Sequence, residues 1–221
     1  MEVKVNLFSH TMEESGLNLL EQIAYVARVS NPSNQNNHET AEKLVNYLIK
    51  HKHWSPLEMV DVTLEIETTR DIARQILRHR SFVFQEFSQR YADPTDVDAG
   101  MGFEFKQARL QDSKNRQNSI EVEDKELQNW WWETQDEMVL NALYAYEEAI
   151  GKGIAKEVAR AVLPEGLTKS RMYMKGSIRS WIHYIMIRSG IETQKEHREV
   201  ALACADALYP IFPMIKEFVN E

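Results

Sequence analysis

The sequence predicts a helix-rich α+β fold, a central mixed or antiparallel sheet with helices packed around it, and three observations carry that expectation. Val3, Val5 and Leu7 alternate with polar residues, and so do Val60, Val62, Leu64 and Ile66, which is the period of half-buried strands. Most of the remaining length repeats its apolar residues at helical spacing, the longest such run covering about 124 to 152. Hydrophobic residues make up 43% of 221 residues, enough for one sizeable core, so residues 1–221 read as a single domain.

Taken in order, the opening "MEVKVNLFSH" is a short strand, and "EESGLNLLEQIAYVARVS" then switches to helical spacing. The turn formers of "NPSNQNNHET" follow, with Thr40 placed as N-cap of the helix "AEKLVNYLIKH". Pro56 in "HWSPLE" breaks that pattern. A second strand ends near Thr69, where a helix from about 70 to 79 carries "RDIARQILRH". Beyond Pro94 the chain turns polar, and 108–124 has neither period nor much apolar content, as in a long surface loop serving as a lid or partner contact. After the long helix and "GKG" come a helix in "IAKEVARAVLP", a short segment "RMYMKG", and helices near 178–189 and 192–208. No internal repeat, low-complexity tract or linker divides the chain.

Charge narrows the function. Lys plus Arg number 26 against 34 Asp plus Glu, a net charge of −8, which is opposite to a broad nucleic-acid face and makes any basic site a local one. Cys204 is the single cysteine, so no internal disulfide can form, and no Cys/His cluster has zinc spacing. The N-terminus lacks an apolar signal region, and no stretch approaches the roughly 18 apolar residues of a membrane span. A cytoplasmic protein with no membrane partner is the expectation. His51, His53 and Glu58 lack a helical metal-binding register, so no metal is expected.

The stretch "RQILRHRSFVFQEFSQRY", residues 74–91, gathers Arg74, Arg78, Arg80 and Arg90 with His79 among aromatic and aliphatic residues. On a helix Arg74 and Arg78 share a face beside Gln75, and two like charges there repel by a few tenths of a kcal/mol unless an anion compensates, about 0.2–0.5 kcal/mol per pair. On an extended segment Glu86, Ser88 and Arg90 point to one side. A guanidinium, a hydroxyl and a carboxylate on one face suit a phosphorylated sugar. An internal salt-bridge network using Asp71 and Glu86 is the equally available reading. Arg160 taken alone reads as a snorkelling surface residue. Arg179, His183 and Arg188 share a helix, where His183 by itself reads more readily as a satisfied core histidine than as a catalyst. Trp130, Trp131 and Trp132 pass around a helix, so at least one ring should meet a loop or partner. Cys204 sits on the apolar "EVALACADAL" helix with no neighbouring base, unsuited to act as a nucleophile.

Several motifs together make the pattern specific. Arg-His-Arg at 78–80, seven residues, then Ser88, with Glu86, Arg90 and Tyr91, resembles the signature of the flavin-dependent thymidylate synthases. "VARVS", "HWSPLE", "AKEVARAVLP", "SIRSWIHYIMIR" and "TQKEHRE" are similar to further segments of that family, in the same order along nearly the whole chain. The resemblance implies an enzyme that reductively methylates dUMP to dTMP, with methylenetetrahydrofolate as one-carbon donor, FAD reduced by NADPH, and no cysteine nucleophile. It implies that Arg78, His79 and Arg80 line the FAD site with Ser55, Glu58, Glu86, Ser177, Arg179 and His183. Gln75, Arg78, Glu86, Phe87, Ser88, Gln89, Arg90 and Arg160 would hold dUMP, and Arg188 would sit at the uracil ring, favouring its N3-ionised form. It also implies a homotetramer whose active sites are shared between subunits, which would explain arginines that find no acids in their own chain. Leu57 and Met59 stand where the family commonly has Phe and His, Val83 and Gln85 where it often has Ser and Asn, and Ser177 where it has Asn. A non-catalytic module binding nucleotide or RNA phosphate, or a flavoprotein relic of the same fold, are the alternatives.

Overall fold

A computed structural model describes residues 3–220 of the chain. Met1 and Glu2 of the expected first strand, and Glu221, lie outside the described residues.

The sheet grows outward from its two longest strands. β2 (Asp61–Thr69) turns Val62, Leu64 and Ile66 to one face, all fully buried. β6 (Lys169–Ser177) pairs with it antiparallel along its whole length, from Asp61 opposite Ser177 to Thr69 opposite Lys169, and adds Met172 and Met174 to the same face. β1 (Lys4–His10) joins the free edge of β2 with a register shift between Leu7 and Ser9, and β3 (Val83–Glu86) joins β6. The order is β1-β2-β6-β3 and every pairing is antiparallel, which selects between the mixed and antiparallel sheets that the sequence allows.

Residues 169–177 correct the reading of "RMYMKG" as a short segment, since they form a central strand. The alternation was present, with Ser170, Met172, Met174 and Gly176 buried. Its buried face carries no β-branched residue, however, and includes a serine and a glycine, which propensity counts against a strand.

Helices cover the apolar face. α1 (Leu19–Ala27), capped by Asn18 and Glu21 in a reciprocal box, packs with α2 (Ala41–Lys50). α6 (Ile178–Arg188) and α7 (Lys195–Leu208) lay Trp181, Ile182, Ile185, Val200, Cys204 and Leu208 into the same core as Leu64 and Ile66. The Trp181 ring satisfies its single donor by bonding the Val62 carbonyl at 3.1 Å. The opposite face stays polar, with Tyr173 donating to Glu65 at 2.6 Å and Arg171 paired with Glu67 at 2.8 Å.

Several expected elements end differently. α3 (Arg70–Ile76) stops three residues short of 79, so Arg78 and Arg80 lie beyond the helix rather than on its face with Arg74. Thr40 stands at the start of α2 without capping it, because its hydroxyl accepts from Arg28 at 2.8 Å. The 108–124 stretch is no featureless loop. It holds the hairpin β4 (Arg109–Gln111) and β5 (Ser119–Glu121), anchored where Gln128 bonds the Ala108 backbone through both ends of its amide, at 3.0 and 2.9 Å. Gln128 belongs to α4 (Lys125–Gly151), 27 residues long and capped by Asp124, where Trp132 meets Phe105 edge-on at 5.4 Å while Trp130 stays exposed. The expected helix in "IAKEVARAVLP" is a single turn, α5 (Lys156–Ala159), followed by a 3-10 turn at Arg160–Val162. Among the described residues, no helix is long and apolar enough to cross a membrane.

Candidate active site

The chain runs from β6 into α6 without a loop, because Ile178 donates its backbone N–H to the Val60 carbonyl at 2.9 Å and Ser177 caps the new helix, its hydroxyl accepting from the Ser180 N–H at 3.3 Å. This junction forms one wall of a cavity of about 660 Å3, closed by the 3-10 turn Ser55–Glu58 and the entry to β3. Glu58, Arg80, Ser177, Arg179 and His183, five of the nine residues expected at a flavin, line it. Ser55, Arg78, His79 and Glu86 do not.

Its lining is two-natured. Trp54, Phe82, Val83, Ile182 and Met186 are apolar, while Arg80, Arg179, Lys175 and His183 supply donors and cationic groups. Arg179 is ion-paired with Glu58, whereas Arg80 has no carboxylate within salt-bridge distance among the described residues. Phe82 stands over Gly176, where a β-carbon would lie 2.5 Å from the ring, so the glycine is what lets the aromatic wall close on the strand. His183 is exposed to the cavity, which corrects its reading as a satisfied core histidine, and it lies on the α6 side away from the buried Trp181. Trp54, Phe82 and Lys175 escaped the sequence reading. Trp54 had a local signal within "HWSPLE", whereas Lys175 enters through the unrecognised strand β6.

A second group sits between α3, α6 and α7. Arg188 donates from Nε to His79 Nε2 at 3.0 Å, so that nitrogen carries no proton and the ring is neutral with its proton on Nδ1. Burial, the Arg188 charge and His183 push the His79 pKa down to about 4. Beside it the fully buried His197 falls to about 3, through burial, Arg188 and His79. Arg188 therefore remains a fixed charge among neutral rings. Gln75 is also here, bonding Gln194 at 2.8 Å and His197 at 3.2 Å.

The remaining expected nucleotide contacts lie along β3 and the turn after it. Ser88 and Arg90 are not on an extended segment, as expected, but in a turn. The Tyr91 and Ala92 N–H groups both reach the Ser88 carbonyl at 3.1 Å, and the Arg90 N–H reaches the Ser88 hydroxyl at 3.4 Å. Local bonding by a serine side chain outcompetes strand pairing there. Phe87 continues the ladder by bonding the Arg171 carbonyl at 2.8 Å. Gln89 is buried and its Nε2 has no partner among the described residues. Arg90 pairs with Glu157 at 3.3 Å, and Arg160, half-buried, donates to the Glu157 carbonyl at 3.3 Å.

The arginine question divides as well. Arg70 and Arg74 share Glu165 at 3.1 and 3.0 Å, and Arg70 also reaches Glu86 at 3.8 Å, so part of the cluster is the internal network. Glu86 accepts from Ser170 at 2.8 Å, and Asp71 pairs with Lys106 rather than with any arginine. Arg74 and Arg90 thus do find acids within their own chain, against the expectation for the motif arginines, whereas Arg78, Arg80, Arg160 and Arg188 have none among the described residues. Cys204 is fully buried and burial pushes its thiol pKa up, the reverse of what a nucleophile requires. Among the described residues no group of three or more His, Cys, Asp or Glu could hold a metal ion.

Residues 11–214 match the family described as thymidylate synthase complementing protein. A probable flavin-dependent thymidylate synthase of Paramecium bursaria Chlorella virus 1 is 49% identical over 206 residues, 93% of each chain. The flavin-dependent thymidylate synthase of Synechocystis is 51% identical over 193 residues, 87% of this chain and 86% of that one. In fold, the chain is similar to a crystal structure of a UMP/dUMP methylase from Streptomyces cacaoi solved with 5-Br dUMP, with a TM-score of 0.77, 22% identity, and coverage of 98% of this chain and 94% of that one. With residues 11–214 matched and two relatives near half identical over most of the chain, this chain belongs to the thymidylate synthase complementing protein family, the flavin-dependent thymidylate synthases.

Proposed function

We propose that the protein methylates dUMP to dTMP, taking the carbon from methylenetetrahydrofolate and the electrons from NADPH through FAD, with no thiol nucleophile. The observation that carries this reading is the set Arg78, Arg80, Arg160 and Arg188, four guanidinium groups with no carboxylate partner among the described residues. Uncompensated cations at motif positions of an acidic chain call for anionic ligands.

FAD fits the cavity between β6, α6 and the Ser55–Glu58 turn. Its volume lies within the roughly 300–1,000 Å3 range of small-molecule sites. Aromatic and aliphatic walls suit a planar ring, and Arg80 and His183 suit a pyrophosphate, with Lys175 and Arg179 joining on release from Asp61 and Glu58. Glu58, Ser177, Arg179, Arg80 and His183 would hold it, with Ser55, Arg78, His79 and Glu86 at its borders. Hydride transfer is beyond any side chain here, and the flavin would supply it when bound.

The nucleotide falls to the other arginines. Arg90, with Ser88 and Arg160, would take the phosphate. Its exposed pair with Glu157 is worth about 0–1 kcal/mol, so a bidentate phosphate can displace the carboxylate. Gln75, Arg78, Glu86, Phe87 and Gln89 would complete the nucleotide site. Arg188 would face the uracil ring. Because His79 takes only the Nε hydrogen, the terminal amino groups of Arg188 stay available to stabilise negative charge developing on the pyrimidine, and a guanidinium holds its charge at any working pH.

A single domain over 1–221, a cytoplasmic location and a homotetramer with shared sites complete the proposal. The exposed Trp130, Trp132, Leu140 and Tyr144 of α4 offer apolar area for a subunit contact. The deciding assay follows release of hydrogen from the methylated carbon of dUMP with NADPH and methylenetetrahydrofolate present. Release supports the proposal. A colourless protein that binds phosphates without release would mean a binding module, and a yellow protein without release a flavoprotein relic.

A further inference from the structure

We infer that Gln194, Glu196 and His197 form a polarised hydrogen-bond relay that presets the amide of Gln75, and so decides which donor and acceptor it offers to the nucleotide. The inference rests on the reading of Gln75 as a nucleotide contact.

The polarity starts at a group that can only accept. Glu196 is buried, and Arg109 lies 2.6 Å from its Oε1. Burial opposes its ionisation, yet its own backbone N–H, Arg109 and Gln194 together hold it below the usual carboxylate range. Gln194 must therefore present its amide nitrogen to Glu196 Oε2, at 3.0 Å. That turns the Gln194 oxygen the other way, to accept from the Gln75 nitrogen at 2.8 Å. The Gln75 oxygen is left facing His197 Nδ1 at 3.2 Å, which must carry the ring's proton. The opposite nitrogen, Nε2, then accepts from the Tyr184 hydroxyl at 3.2 Å, a phenol that burial keeps protonated.

Each link leaves Gln75 less freedom. Reversing its amide would set oxygen against the Gln194 oxygen and lose that bond, and it would keep the His197 bond only by moving the ring's proton to Nε2, where the Tyr184 hydroxyl would have to turn from donor to acceptor. One N–H and one carbonyl lone pair of Gln75 remain unused, in fixed positions, on a residue that is only partly buried. The relay spans α3, α6 and α7, so it forms only when the three helices are packed. A purely structural role would require these groups to be satisfied, and would not require their effect to pass through Gln75.

The test titrates FAD-loaded, full-length protein with dUMP by calorimetry. His197→Leu and Gln194→Leu should each raise the dissociation constant about tenfold, the size of one lost hydrogen bond, with the flavin absorbance unchanged. His197→Asn, whose amide nitrogen stands near the Nδ1 position, should stay within about twofold of the parent. In a Gln75→Ala background, His197→Leu should add nothing, since sites that act through one another are not additive. Should His197→Leu not fold, Gln194→Leu with Gln75→Ala provides the same cycle. Additive losses in that cycle, or single variants that bind like the parent while Gln75→Ala binds weakly, overturn the relay alone. A Gln75→Ala protein that binds dUMP like the parent overturns the underlying reading of Gln75, and the relay with it.

Discussion

The flank formed by Arg70, Arg74 and Arg90 and the pocket around Arg188 contain the same side chain in opposite circumstances. On the flank every guanidinium has a carboxylate, Glu165, Glu86 or Glu157, between 3.0 and 3.8 Å away. Arg188 has a neutral histidine instead, at 3.0 Å. An exposed pair such as Arg90–Glu157 contributes little to stability, whereas Arg70 is buried and depends on its carboxylates. An unpaired guanidinium among neutral rings keeps its field for whatever enters. The difference teaches that a cluster of arginines in a sequence is not one feature: Arg70 and Arg74 are tied to Glu165, Arg90 holds an exposed carboxylate that a ligand would have to displace, and Arg188 has none among the described residues.

The widest gap between the two regions should appear in catalysis. Arg188→Ala should lower turnover by on the order of 10² to 10³ while flavin absorbance persists, as expected for loss of one preorganised charge donor. Arg74→Ala, from the paired flank and half-exposed, should stay within a few-fold. Similar losses in both would erase the distinction.

Acid separates the regions in a second way. His79 and His197 have folded pKa values pushed down to about 4 and about 3, below the ordinary 6.5, so their contribution to stability is present above 6.5 and lost as pH falls toward those values. For the fully buried His197 the loss approaches about 1.4 kcal/mol per pH unit once the unfolded chain is protonated. On the paired flank, burial opposes ionisation of Glu165, but Arg74 and Arg70 outweigh it and lower its pKa, so its contribution persists above 4.5 and is lost only in more acidic solution. Chemical denaturation between pH 7 and 5 should therefore show a falling stability that His197→Asn flattens and Glu165→Gln leaves in place.

Glu165→Gln acts on the paired side alone. Arg70, whose side chain is only 7% exposed, would keep Glu86 at 3.8 Å as its remaining partner, so stability should fall by about 1–3 kcal/mol while flavin and dUMP binding hold. An unchanged denaturation midpoint would show that the network is idle. The smallest effect is expected at Cys204→Ala, where turnover should remain nearly intact. A folded, flavin-loaded but inactive Cys204→Ala protein would overturn the thiol-free mechanism.

Much of this was legible beforehand where a period or a motif carried it. β2 and α4 follow from their apolar spacing, and Arg80, Arg179 and Glu58, all lining the cavity, belong to motifs legible in the sequence. β6 was not, because its inward face of serine, methionine and glycine lacks the residues that mark strands. The β4–β5 hairpin was not either, being two three-residue strands held largely by Gln128 of a later helix. Only the motif resemblance places His183 at a site, because the spacing of one helix turn cannot tell a core face from a cavity face.

By itself the sequence determined the alternation of elements, the motif residues, the local nature of the positive charge and the unsuitability of Cys204 as a nucleophile. Only the tertiary structure decided which arginines are spent on carboxylates, which histidines are neutral and how Gln75 is oriented. The reason is distance along the chain. Periodicity reports on neighbours a few residues apart, whereas Arg74 meets Glu165 across 91 residues, Arg188 meets His79 across 109 and His197 meets Gln75 across 122, contacts that exist only once the helices have packed on the sheet.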